Sequence, residues 1–396
     1  MPSQVFFMDL RASAKEPNFK KFQRLLEALE VKGIIRRKKK RPLIGVKLHF
    51  GEQGNTSFIR PIYVRRVVDH LWEAGGRPFL TDANTVYVGT RAEAVNHLTT
   101  AIENGFAYAV VRAPLIIADG LTGKAEVEVQ INREQFQKVY LAEAIMEAEA
   151  LVVLSHFKLH ELSGFGGALK NLGMGCASRK GKLAQHSNIS PKVSKKKCTG
   201  CGECVIHCAQ EAIRINPETE KAVIDPTRCV GCAECLLVCP YGNIQIQWNE
   251  SIPVFLKKMM EYAYGVVKDR QDRVVFVNFL TQVSPACDCY GHNDLPVVGD
   301  LGILASRDPV AIDQACVDLV IQSPGRLGSA LKEPAPGSDK FKDIYPQVDW
   351  PLQLEYAEQL RLGAREYELV RSSTSVSYRS WPGVRFFTPG RQDQTF

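Results

Sequence analysis

The feature that most constrains this chain is a run of eight cysteines between Cys198 and Cys239. They read Cys198-Thr-Gly-Cys201-Gly-Glu-Cys204-Val-Ile-His-Cys208, then Cys229-Val-Gly-Cys232-Ala-Glu-Cys235-Leu-Leu-Val-Cys239-Pro240, so the spacing C-x2-C-x2-C-x3-C occurs twice. Twelve cysteines in 396 residues are too few for a disulfide scaffold of that size. The opening Met1–Asp9 has neither a basic n-region nor a long apolar h-region, so a cytoplasmic protein is expected. There, such clustering means metal ligation before disulfides.

The spacing has a mechanical reason. Three closely spaced cysteines wrap three irons of a cubane, and the fourth opens a helix toward the other site, where it completes the other cluster. This assigns Cys198, Cys201, Cys204 and Cys239 to one 4Fe–4S cluster. Cys229, Cys232, Cys235 and Cys208 go to the second. Small residues at Gly200, Gly202, Gly231 and Ala233 let the backbone pass close to the cubane. Ala212–Ile215 and Lys221–Ile224 flank Asn-Pro-Glu-Thr-Glu, a hairpin signal, and Ile244–Trp248 supplies a closing strand. Over residues 194–248 the chain resembles a bacterial two-cluster ferredoxin. It departs from that pattern at Ala209, where the first half lacks the proline that Pro240 supplies in the second; this bears on the potential of the second cluster, not on ligation. A pair of structural zinc sites is the competing reading, but zinc usually takes two C-x2-C pairs or mixed histidine ligands.

The flanks have a different rhythm. At 45% apolar and 23% charged residues the composition is that of a globular protein, which excludes long disorder and coiled-coil rods. No stretch approaches the ~18 uninterrupted apolar residues of a membrane helix. Strand patterns at Leu43–Phe50, Pro78–Thr81, Ala150–Ser155, Arg273–Leu280 and Leu301–Ala305 alternate with helical patterns. The helices are expected at Phe19–Leu29, Pro61–Glu73, Arg91–Glu103, Arg133–Ala148, Ile252–Lys268 and Asp308–Ile321. Alternation on both sides of the cysteines predicts an α/β fold, a mostly parallel sheet with helices on both faces, interrupted by an inserted α+β ferredoxin-like domain. The expected division is 1–193, 194–248 and 249–396, the last including a C-terminal extension.

Four stretches, Gly45–Thr56, Pro78–Thr85, Lys158–Cys176 and Asp300–Asp313, resemble the domain-of-unknown-function-362 family. The resemblance spans residues 1–325 and implies just such an α/β architecture with a ferredoxin insert. It implies a site location rather than a reaction.

Polar motifs follow the predicted strands, where open α/β sheets form their ligand crevice. His49 follows the first strand; Asp82 and Asn84 follow the second; His156, Lys158 and His160 follow the third; Asn278 ends the fourth. In Ser155–Lys182 a glycine-rich turn sits beside Lys158, Lys170, Arg179 and Lys182, a combination suited to a carboxylate, a phosphate or a sulfide-rich cofactor. It is neither a P-loop nor a dinucleotide fingerprint, and a plain turn with solvated lysines is the alternative. Candidate catalytic residues are Lys158, His160, Lys170 and Cys176; candidate cofactor contacts are His49, Asp82, Gly166, Gly167 and Asn171. Cys316 reads as a buried core residue. Cys176, Cys287 and Cys289 lie in loops and, with His160, His186 or His292, could hold a third metal or iron–sulfur centre. Two other readings stay open: Cys176 as a redox-active thiol beside Arg179 and Lys182, or three unrelated thiols.

The net charge of +7 is concentrated in Arg36–Arg41 and Lys195–Lys197. No aromatics interleave with these runs, which argues against nucleic acid. The first reads as a solvated turn, and the second, abutting the cluster motif, as a landing site for an acidic redox partner. The expected function is iron–sulfur redox chemistry of anaerobic metabolism, passing low-potential electrons to a small substrate or cofactor in the crevice. A dedicated electron carrier and a cluster-maturation scaffold are the alternatives. No flavin, nicotinamide or molybdenum motif is visible, so the electron donor is another protein or an unread cofactor.

Overall fold

The computed structural model describes residues 2–35, 41–87, 89–187, 190–371 and 386–387. Most of the first basic run and nearly all of the tail beyond 371 lie outside the described residues.

Nine strands form one sheet: β1 (Ser3–Asp9), β2 (Leu43–Lys47), β3 (Arg77–Asp82), β4 (Leu115–Ile117), β5 (Ala150–His156), β6 (Val274–Leu280), β7 (Gly302–Ser306), β8 (Tyr367–Arg371) and β9 (Phe386–Phe387). Their order is β9-β8-β1-β7-β6-β5-β2-β3-β4. Every pairing is parallel except those of β7, which runs against β1 and β6. The central strands are buried on both faces, as a covered parallel sheet requires. In β5, Leu151 and Val153 enter one core while Val152 and Leu154 enter the other. In β6 the same alternation sends Phe276 to the first core and Val277 to the second.

Helices cover both faces. On one lie α1 (Asn18–Ala28) and α2 (Pro61–Glu73), whose Phe22, Leu25, Val64 and Val68 fill the second core. On the other lie α3 (Ala168–Gly173), α5 (Ile252–Val267), α6 (Pro309–Gln322) and α7 (Pro351–Gln359); α4 (Arg179–His186) leads from this layer to the cysteine segment. The α/β expectation therefore holds. Cys316 is fully buried in α6 and accepts a contact from the Asn278 amide at 3.4 Å, as a core residue should.

Two local expectations need correction, and one strand was missed. Residues 133–148 are not one helix: Lys138–Ala142 is a strand paired with Glu126–Gln130, and only Glu143–Glu147 is helical. Val139 and Leu141 are fully buried in the first core, so tertiary packing overrode a helix-like periodicity, and Val139 and Tyr140 suit a pleated surface. The helix expected from Arg91 begins at Ala94, after Glu93 caps its first turn. Strand β1 was not anticipated at all, because Ser3–Asp9 alternates only weakly and earns its place by pairing with β7 and β8, more than 290 residues away.

The cysteine segment forms a small unit on this frame. Lys192–Val193 pairs with Ile244–Gln245 at its base, and Ile213–Ile215 pairs with Ala222–Ile224 as the hairpin signal predicted. Its core of Val193, Ile213, Ala222, Leu236 and Ile244 also takes in Val86 and Leu183 from the α/β part.

Candidate functional site

The two cysteine motifs fold alike. Gly200 and Gly231 adopt φ of 72° and 69°, and Gly202 and Ala233 adopt 83° and 61°. These left-handed turns precede the short helices Glu203–Ile206 and Glu234–Val238. At each fourth cysteine a backbone N–H four residues on donates to the sulfur: Ala212 to Cys208 at 3.3 Å and Asn243 to Cys239 at 3.2 Å. The Ala222 N–H does the same for Cys198 at 3.4 Å. Cys239 closes one pocket with Cys198, Cys201 and Cys204, while Cys208 and Cys232 act on Cys229. The fourth cysteine of each motif thus crosses to the other motif's trio. Both groups could bind metal centres. The lysines Lys195, Lys196 and Lys197 are exposed beside Cys198.

A second site lies at the carboxyl ends of β2, β3, β5 and β6, where the sheet rule places it. It is a cavity of about 820 Å³. His49, Asp82, Lys158, His160, Gly166, Gly167, Lys170, Asn171, Cys287 and Cys289 all line it, whereas Asn84 bonds to Asp119, Asn278 to Asp313 and Arg179 to the Thr122 carbonyl, and Cys176 and His292 are not in its lining. The Cys176 thiol instead contacts the Asn171 carbonyl at 3.6 Å and is fully buried in the core. Burial pushes its pKa up, so the structure does not support an activated thiolate there.

Each wall is held by buried ion pairs. Lys47 meets Asp82 at 2.9 Å and the Asn171 side-chain oxygen at 2.6 Å. Asn171 also donates to the Leu154 carbonyl, so its role is to aim Lys47. Arg91 and His97 stand 3.7 and 3.9 Å from Asp82. Burial works against the Asp82 charge, but Lys47, His49, His97 and Arg91 together hold its carboxyl well below the usual range. His49 Nδ1 accepts the Gly51 N–H at 3.0 Å, leaving the ring proton on Nε2. Burial, then Arg91, lowers its pKa. Gly167 is required by close approach: a Cβ there would collide with Asp313, whose carboxylate accepts the Ala168 and Leu169 N–H groups at 2.8 and 2.9 Å. Asp313 therefore caps α3 and is structural.

The C-x-C segment forms the opposite wall. Asp288, fully buried, accepts from Lys158 and from His156 Nδ1, each at 2.9 Å. The intervening aspartate thus anchors the segment and turns the two flanking thiols to the cavity. The sulfurs of Cys287 and Cys289 and a ring nitrogen of His160 all lie within 4.8 Å of one another, a group that could hold a metal ion. His186 and His292 are not part of it: His186 stacks on Phe255 with ring centres 4.9 Å apart, and His292 is exposed. Lys170 Nζ lies 3.8 Å from Cys287 Sγ. A hydrogen bond from the Cys289 thiol, opposed by burial and aided by Lys170 and His160, draws the Cys287 pKa well below that of an ordinary thiol. Tyr87 donates to the Cys289 carbonyl at 3.3 Å and accepts from Arg91 at 2.7 Å, while Arg91 pairs with Glu52 at 3.1 Å.

Sequence reading missed Lys47, Glu52, Arg91 and Asp288. Lys47 carried a signal, since a charged residue inside an otherwise apolar strand needs a buried partner. Glu52, Arg91 and Asp288 meet only through tertiary structure.

The cavity reaches the cysteine unit. Val86, Lys182, His186, Trp248 and Phe255 line it, and Trp248 packs edge-on against His186 at 4.6 Å. Lys124 pairs with Glu234 of the unit at 3.1 Å. No helix among the described residues is long and apolar enough to cross a membrane.

Two solved structures resemble the chain weakly. The lactate racemase apoprotein from Thermoanaerobacterium thermosaccharolyticum aligns over 93% of this chain and 82% of its own, at 12% identity and a TM-score of 0.40. A structural-genomics protein from Thermotoga maritima aligns over 91% and 89%, at 11% identity and a TM-score of 0.41. No curated protein matches the chain. The family model described as Domain of unknown function (DUF362) matches residues 44–318, and with those residues covering most of its length the chain belongs to that family.

Proposed function

We propose that this protein is an iron–sulfur redox protein, in which two 4Fe–4S clusters in an inserted ferredoxin-like domain (194–248) pass low-potential electrons to a small molecule bound in the α/β cavity. The observation that carries the reading is the crossed pairing of the two cysteine trios with each other's fourth cysteine, which is the ligand logic of a two-cluster ferredoxin. Sulfur spacing favours a cubane over a single ion. Four thiolates about 2.3 Å from one zinc would sit roughly 3.8 Å apart, yet among the described residues the one group of three or more potential ligands within 4.8 Å of one another is His160, Cys287 and Cys289, with none of the eight cysteines. The N–H donors aimed at Cys198, Cys208 and Cys239 fit sulfurs that carry charge.

Delivery to the cavity is supported by the docking of the cysteine unit on Val86 and Leu183 and by the aromatic contacts of Trp248, His186 and Phe255. In this reading the second cluster lies nearer the cavity, since a side chain at Gly231 would stand 3.7 Å from Leu183, between the cavity-lining Lys182 and His186. The exposed Lys195–Lys197 beside the first cluster would receive an acidic protein donor. Iron and acid-labile sulfide analysis of the anaerobically purified protein tests the assignment. Eight irons and eight sulfides per chain are expected from the two clusters; zinc without sulfide would overturn it.

A further inference from the structure

Cys287 and Cys289 have no part in holding the two clusters, and distance alone would allow them to bind a metal with His160. The surroundings argue otherwise. His160 Nδ1 accepts the N–H groups of Leu162 and Ser163, both at 3.2 Å. The ring proton is therefore on Nε2, the nitrogen left to face the sulfurs, and a protonated nitrogen cannot ligate. The Lys170 ammonium is 3.8 Å from Cys287 Sγ, and the Lys158 ammonium, fixed to Asp288 between the two cysteines, is close behind. A divalent cation would have to sit against both. The Cys289 N–H adds a further donor to Cys287 Sγ at 3.4 Å. Donors and cations around a sulfur stabilise a thiolate, and the second thiol is two residues away on the same anchored turn.

We infer that Cys287 and Cys289 are a redox-active dithiol that turns the electrons of the clusters into a hydride-equivalent pair for reducing a small disulfide in the cavity. For its electron source this rests on the two-cluster reading above. The Cys287–Cys289 disulfide takes one electron from each reduced cluster and one proton, giving the Cys287 thiolate and the Cys289 thiol. The thiolate attacks one sulfur of the substrate disulfide, forming a mixed disulfide and expelling the first substrate thiolate. Cys289 then attacks Cys287 in the mixed disulfide, its proton goes to the second leaving sulfur, and the internal disulfide returns. Lys170 and the His160 Nε2–H lower the cost of the thiolate. The cavity of about 820 Å³ fits a low-molecular-weight substrate rather than a protein chain.

The test has two arms. In the first, the full chain is equilibrated in glutathione redox buffers, acid-quenched, unfolded and alkylated, and the peptide carrying both cysteines is weighed. One concerted two-electron step is expected, from an unalkylated pair to a doubly alkylated one. Lys170→Gln keeps both thiols but removes the cation, so the equilibrium should move about tenfold toward the disulfide. In the second arm, reductive titration of the holoprotein with a photoreduced viologen should consume two more electrons in the wild type than in Cys287→Ser, with equal cluster signals in both. Thiols that alkylate independently at every buffer ratio would overturn the inference. So would a stoichiometric metal beyond the cluster iron that Cys287→Ser removes. If the clusters themselves are absent, the first arm still reads the dithiol, so the two failures are separable.

Discussion

The cysteine unit and the cavity are built on opposite plans. The unit's eight thiols come from one short segment, held by turns whose conformation is set within three residues of each thiol. The cavity draws residues from Lys47 to Gly291, and its buried charges are satisfied only across the fold, as in Lys158–Asp288 and Arg91–Glu52. The contrast is energetic as well as topological. Loop ligands cost little to place and depend on what they bind; buried ion pairs must be complete, because a lone buried charge is costly.

Excising the unit should separate the two plans most sharply. Val193 and Ile244 are paired at its base, so a short glycine linker across that gap should abolish all iron binding. The α/β part should stay folded, at a loss of about 3 kcal/mol from re-exposing Val86 and Leu183. Circular dichroism and thermal melts would show a collapsed sheet if the unit were instead integral to the fold. Next in size are single ligand changes. Cys208→Ser and Cys235→Ser should deplete the same cluster, and Cys239→Ser the other, read as half the iron and one of two EPR signals. Equal damage by Cys208→Ser and Cys204→Ser to one signal would refute the crossing.

On the cavity side, Asp288→Asn leaves Lys158 and His156 without their carboxylate. A loss of about 3 kcal/mol in chemical denaturation is expected, against near-zero for a solvated loop residue. A last contrast concerns pH. Burial lowers the pKa of His97 and of His186 from 6.5 to about 3. The unfolded chain therefore takes up these protons first, so stability is complete above about pH 6.5 and falls as pH drops toward 3. His97→Gln should flatten part of that acid limb in melts across pH 4 to 7; an unchanged slope would mean His97 is not buried neutral.

These two plans also explain what could be read in advance. The grouping of Cys198 to Cys239 into two crossed sets was legible because spacing fixes a local turn. His49, Asp82, Lys158 and His160 revealed their neighbourhood because parallel strands deliver their carboxyl ends to one edge. Asp288 looked like a spacer between two cysteines, and its partner His156 lies at the end of β5, far away in sequence. Cys176 looked like a site residue because it follows a glycine-rich motif, yet the turn at Gly175 directs its thiol into the core. Strand β1 and the strand Lys138–Ala142 were hidden for a related reason: their partners or their packing, rather than their own pattern, decide them.

The most direct measurement is low-temperature EPR of the anaerobic full chain at stepwise reduction. Two paramagnetic cubane signals that broaden each other as both become reduced are expected, with Cys208→Ser removing one and its broadening of the other. An EPR-silent protein that holds zinc, or a single isolated signal at full reduction, would contradict a two-cluster path to the cavity.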